Sequence, residues 1–146
     1  MMKLMTSTLL AAALVGMTAS LAGADDGMVT LTLEISGVAP SDGYVMIGVF
    51  DSEAGWNDGA AVAGTRASVD GDQLTVAFTD LPAGTYGVKM YHDVDADGEM
   101  DTNLMGIPSE PFAFSNNAHG RFGPPEWNAA AFEVSADSSV HSVSFE

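Results

Sequence analysis

From His92 to Asn103 the chain runs His-Asp-Val-Asp-Ala-Asp-Gly-Glu-Met-Asp-Thr-Asn. Asp93, Asp95 and Asp97 occupy positions 1, 3 and 5 of a loop, Gly98 position 6 and Asp101 position 9. This is the first half of a calcium-loop pattern, in which carboxylates at alternate positions turn inward around a hard cation that takes roughly six to eight oxygens. Gly at position 6 permits the sharp turn, and position 7, Glu99, then offers its backbone carbonyl. The candidate Ca2+ ligands are therefore Asp93, Asp95, Asp97, Glu99 and Asp101. Without a cation, carboxylates this close repel one another. The match is partial. Position 12, where a bidentate Glu belongs, is Leu104, and the residues before the loop alternate like a strand, so a helix-loop-helix EF-hand is excluded. The plainer alternative is a solvated acidic turn, since Asp and Gly favour turns for their own reasons.

Other residues in the neighbourhood have two readings each. His92 beside Asp93 is either a general base or transition-metal ligand, or a strand-end His bonded to a nearby oxygen. Strand parity sends His92 and Asp93 to opposite sides, which favours the second. His119 and His141 form no ligand spacing with it. Glu110, Asn103 and Asn117 are candidates to complete an oxygen shell, against ordinary turn chemistry. Arg121 is expected to pair with Glu110 or Glu126 and order the loop. There is no G-x-S-x-G, no Cys and no phosphate-cradling glycine loop, and nothing singles out a carboxylate pair for glycoside chemistry. The expectation is a protein that is not an enzyme, the alternative being a metal-dependent hydrolase that uses His92 with the Asp cluster.

The chain has 20 Asp and Glu against four Lys and Arg, a formal net charge of −16. That argues against nucleic acid and anionic membrane as partners and suits cations. At the N-terminus, Lys3 precedes an apolar run over residues 9–17 and then Ala22-Gly23-Ala24. This predicts a secretory signal over residues 1–24, cleaved after Ala24, and an exported protein, periplasmic or extracellular. An uncleaved anchor fits less well, because Thr and Ser interrupt the stretch and no basic stop-transfer flank follows. With no Cys in the chain, a lipid anchor on Cys is excluded, as is any disulfide. A bound cation is one remaining staple for an exported domain. No later segment is apolar enough to span a bilayer, so no membrane insertion is expected after cleavage.

Residues 25–146 have the length of one domain and read as all-β. Residues 28–36 alternate, with Val29, Leu31, Leu33 and Ile35 on one face. Residues 44–50 are apolar on both faces, as in a covered central strand. Residues 65–69 and 73–79 flank Asp70-Gly-Asp72, a hairpin signal. Residues 85–92, 130–134 and 140–145 complete seven strands, which predicts a single seven-stranded β-sandwich. Residues 93–128 are left as one long ordered loop with aromatics and prolines of its own, a compact Ω-loop. A second loop, 51–64, holds Trp56.

The series Leu81-Pro-Ala-Gly-Thr-Tyr86, Tyr91-His-Asp-Val-Asp-Ala-Asp-Gly98, Asp101-Thr-Asn103, Gly106-Ile-Pro108, Glu110, Phe114-Ser-Asn-Asn117 and Arg121-Phe-Gly-Pro-Pro125 resembles the bacterial DUF2141 family of exported proteins. The family often has Asn where Asp95 or Asp97 stands, which keeps an oxygen ligand, and commonly Gly where Ala113 stands. The resemblance implies a prealbumin-like, immunoglobulin-related sandwich and no particular activity. The L-x-x-G-x-Y piece also looks like the corner of carboxypeptidase-regulatory-like and collagen-adhesin B-type domains. It implies that the Tyr86 hydroxyl bonds backbone near the turn, a structural role. The partner, whether protein, glycan or small ligand, is not named by any residue.

Overall fold

The computed structural model describes residues 27–40 and 43–145; the signal segment expected over residues 1–24 lies outside them. The fold is predominantly β and has eight strands in two sheets. β1 (Met28–Ser36), β4 (Gln73–Pro82) and β8 (Val140–Ser144) form one sheet in the order β4-β1-β8. The other holds β2 (Tyr44–Phe50), β3 (Ala63–Ser68), β5 (Gly84–Asp93) and β6 (Phe112–Phe114), ordered β3-β2-β5-β6, with β7 (Phe132–Val134) paired to the start of β5. Among the described residues no helix is long and apolar enough to cross a membrane.

Alternation decides which face is buried. Val29, Leu31, Leu33 and Ile35 of β1 are buried, as are Val45, Ile47 and Val49 of β2 and Tyr86, Val88 and Met90 of β5. With Val143 and Phe145 they form one core shared by the two sheets. Between Val29 and Leu31 of β1 the register with β4 slips by one residue, and Asp80 there takes a positive φ of 59°. This is a bulge that deepens the local twist. Where β4 leaves one sheet and β5 enters the other, the Tyr86 hydroxyl donates to the Pro82 carbonyl. The expected corner is thus present, and Tyr86 is structural.

Two sequence expectations fail. Asp70-Gly-Asp72 does not close a hairpin: β3 pairs with β2 and β4 with β1, so the turn carries the chain between sheets. A two-residue I′ hairpin needs positive φ at its central residues, and none of the three has it. The strand count is eight rather than seven because Phe112-Ala-Phe114, inside the supposed loop, is β6. Three residues are too few to display a period.

The outer face of the second sheet is laid out by the antiparallel register. Arg66, Met46, Tyr91 and Phe112 lie side by side in one row, and Gly64, Gly48, Lys89 and Phe114 in the next. Beyond them sits a second, smaller core of Phe50, Trp56, Phe114 and Ala130, with Trp127 against it. Trp56 comes from α1 (Glu53–Asp58), which Ser52 caps by accepting from Gly55 N–H at 3.0 Å. Its indole N–H donates to the Pro125 carbonyl at 2.9 Å. Gly87 makes room for this cluster: a Cβ there would lie 2.9 Å from ring carbons of both Trp56 and Trp127.

At β6 the ladder hands over to side chains. The buried Ser115 hydroxyl accepts from Val88 N–H at 2.9 Å and donates to the Ala130 carbonyl at 2.6 Å. Asn116, at φ 60°, donates from its side-chain amide to the carbonyls of Ala129 and Ala131. These bonds tie β5 and β6 to α2 (Trp127–Ala130). The 93–128 segment is therefore stitched at both ends and is not one continuous loop.

Candidate metal centre

β5 delivers the acidic loop. Its parity turns Tyr86, Val88, Met90 and His92 toward the core and Lys89 and Tyr91 outward. His92 is 1 % exposed and its ring lies 6.5 Å from that of Phe145. Asp93, the last residue of β5, is also 1 % exposed, and Gly43 packs so close that a Cβ would sit 1.9 Å from the Asp93 carbonyl oxygen.

The chain then coils around the Asp93 carboxylate. One oxygen accepts from Asp97 N–H at 3.2 Å, the other from Gly98 N–H at 2.7 Å. Asp97 in turn accepts from Glu99 N–H at 2.9 Å, and the Tyr91 hydroxyl donates to the Gly98 carbonyl at 3.1 Å. The coil requires left-handed backbone at Ala96 (φ 57°) and Gly98 (φ 79°). Gly98 takes it freely; Ala96 takes it at a steric cost.

A small hairpin brings the chain back. Ser109 N–H bonds the Asp101 carbonyl and Asn103 N–H the Ile107 carbonyl, both at 2.8 Å. The Asn103 side-chain oxygen accepts from Met105 and Ile107 N–H groups across the tip. The hairpin returns Glu110 to the loop, 7 % exposed, where it accepts from Val94 N–H at 3.2 Å and Asp101 N–H at 3.4 Å.

Two carboxylate groups result. Asp93, Asp95 and Asp97 bring one oxygen each within 4.8 Å of one another, and so do Asp95, Asp101 and Glu110. Asp95 belongs to both. Four of the five sequence candidates thus converge through their side chains. The Glu99 side chain belongs to neither group. Glu110, thirteen residues beyond Asp97, enters through the hairpin. Asn103 and Asn117 do not: the first closes the hairpin tip, and the second accepts from Ser144 N–H at 2.9 Å. His92 is in neither group. Arg121 is exposed and forms no ion pair among the described residues; backbone N–H groups hold the Glu110 carboxylate in its stead.

The electrostatics follow from crowding. Burial pushes Asp93 up, but the Gly98 N–H, the Asp95 side chain and the Asp97 N–H outweigh it and hold its carboxyl below the ordinary carboxylate range. Asp95 is held above that range, first by its hydrogen bond to Asp101, then by burial. Asp101 is raised as well: the bond to Asp95 pulls it down, and burial with the charges of Asp97 and Glu110 prevails. Tyr91 is raised by burial and then by Asp93, Glu110, Asp97 and Glu99. Asp95 and Asp101 thus each resist the charge of their carboxylate neighbours. A divalent cation in that place relieves the same repulsion, and an all-oxygen donor set suits Ca2+ rather than zinc.

A family model described as an uncharacterized protein conserved in bacteria, DUF2141, matches residues 33–142, and the chain belongs to that family. No curated protein and no solved structure matches the chain.

Proposed function

We propose that this is an exported, non-catalytic protein that binds Ca2+ through its Asp-rich loop, the ion fixing residues 93–110 as one wall of a recognition surface. In this reading the two sheets are a prealbumin-like, immunoglobulin-related sandwich that serves as a rigid support. The observation that carries the reading is the pair of carboxylate groups that meet at Asp95. Asp93, Asp95 and Asp97 would hold the ion on the loop side, Asp101 and Glu110 on the hairpin side. The ion would supply charge and order, not chemistry.

The test is thermal unfolding in calcium and in chelator. Extracellular calcium modules bind with dissociation constants of roughly 10⁻⁴ to 10⁻³ M. At about 100 times that constant, calcium adds about 2.7 kcal/mol to stability, a rise of several degrees in melting temperature. Magnesium, which keeps its waters, is expected to do less. Asp95→Ala, which removes a ligand oxygen from both groups at once, is expected to abolish the response. Superimposed scans of the wild type in calcium and chelator refute the reading.

A further inference from the structure

On the outer face of the β3-β2-β5-β6 sheet lies a cavity of about 1230 Å³, distinct from the acidic groups. Its floor is the pair of cross-strand rows described above. Gly48 and Gly64 sit next to each other there, so the floor dips to bare backbone between Met46 on one side and Phe50 on the other. The hairpin tip and the 119–124 segment supply the walls. Nine large apolar side chains are exposed in the described chain, and four of them, Met105, Ile107, Phe112 and Phe122, line this cavity. Such clustering marks a binding surface rather than scattered exposure.

Charge is segregated just as sharply. The protein has 20 Asp and Glu, yet among the described residues no acidic side chain lines the cavity. Arg66, Lys89 and Arg121, three of the four basic residues in the chain, all do. Lys89 is engaged: its ammonium donates to the Trp56 carbonyl and lies 4.4 Å from the Trp56 ring centre and 4.8 Å from that of Phe50. Arg66 rests 4.8 Å above the Tyr44 ring with its guanidinium exposed, and Arg121 is exposed on the wall. An apolar trough with guanidinium groups at its edge, in an otherwise acidic surface, is complementary to a molecule with an apolar body and an anionic head. The trough has ample room for an extended alkyl chain lying along the sheet. The methionines in the lining adapt to flexible apolar ligands.

We propose that this trough binds a long-chain fatty acid, its alkyl chain along the sheet and its carboxylate at Arg66 and Arg121. The inference deepens the recognition surface proposed above, because the hairpin wall follows directly from the acidic loop; the floor and the cations stand without the ion.

The test is displacement of a fluorescent fatty-acid probe from the full domain by palmitate, in calcium and in chelator. The metal response is read separately by thermal shift without ligand, so a failed calcium reading is distinguished from a failed ligand reading. Saturable displacement is expected, with hexadecanol and hexadecylamine at least tenfold weaker than palmitate. The double variant Arg66→Gln, Arg121→Gln is expected to weaken palmitate at least tenfold and leave hexadecanol unchanged. Phe112→Glu, at a partly exposed site, is expected to weaken it as well by placing a like charge in the trough. Circular dichroism confirms that each variant is folded. Equal affinity for palmitate and hexadecanol, an unchanged double variant, or tighter binding of hexadecyl phosphate than of palmitate each overturns the proposal.

Discussion

Ser115→Ala removes one hydroxyl and leaves the side-chain volume nearly unchanged. In the native protein that hydroxyl fills two vacancies: it accepts from Val88 N–H and donates to the Ala130 carbonyl. Both bonds are buried, and Ser115 itself has no exposed surface. Alanine leaves both backbone groups without the partner they have now. A buried polar group left unsatisfied costs about 1–3 kcal/mol, so two of them together cost about 2–4 kcal/mol if the site relaxes in part. Urea unfolding is the assay. With a denaturant slope of about 2 kcal/mol per molar, the middle of the usual range, the midpoint is expected to drop by about 1–2 M at unchanged slope. Amide exchange localises the effect: Val88 N–H, buried and bonded to the Ser115 hydroxyl, is expected to exchange far faster, while Leu33 in the other sheet keeps its place relative to global unfolding. A stability loss under about 0.5 kcal/mol refutes the claim that Ser115 substitutes for the missing ladder bonds between β5 and α2.

Tyr86→Phe removes the donor to the Pro82 carbonyl and is expected to cost about 1–3 kcal/mol in urea unfolding, with any calcium-induced shift in melting temperature unchanged. A lost calcium response with the fold intact makes the corner part of the metal site. His141 gives a pH signature. Its ring is half-buried, stacks on Phe132 at 3.8 Å, and accepts Asn116 N–H at Nε2, so the fold prefers the neutral form. Burial holds its pKa below the ordinary value of 6.5. The unfolded chain therefore binds more protons between the two values: stability from this residue is whole above about pH 6.5 and is lost as pH falls through the folded value. His141→Gln is expected to flatten that part of the profile, read as urea midpoints from about pH 7.5 downward; parallel profiles for the two proteins refute it.

The strands with clear periods were legible. Residues 28–36 and 44–50 are β1 and β2 to the residue, because one is amphipathic and the other is a continuous apolar run; β2 is central, but its outer face is only half-buried. His92 and Asp93 separate as parity requires, one toward the Phe145 ring and the other into the acidic coil. The Asp cluster was legible because its ligand spacing is local. What pattern reading misses is non-local. Asp70-Gly-Asp72 announces a turn without saying which sheet receives the next strand. Ser115, Asn116 and Asn117 look like turn residues, yet their side chains reach β5, α2 and β8. Arg66, Lys89 and Arg121 are scattered in the chain; the register of β2, β3 and β5 places the first two, and the 119–124 segment brings the third over the same trough. No window of sequence contains that trough.

The parallel pairing of β1 with β8 has a consequence for the order of assembly. β1 and β4, and β2 and β5, are antiparallel partners of moderate sequence separation. By contrast Ser142 meets Glu34 across 108 positions. Closing so large a loop costs chain entropy before any contact repays it, which places β8 late on the folding route. Until then β1 carries an open backbone edge beside Leu31, Leu33 and Ile35. That partly built sheet, with its vacant slot for a strand, is the species through which two copies of this chain would misassemble, and a truncation before Val140 would make the vacancy permanent.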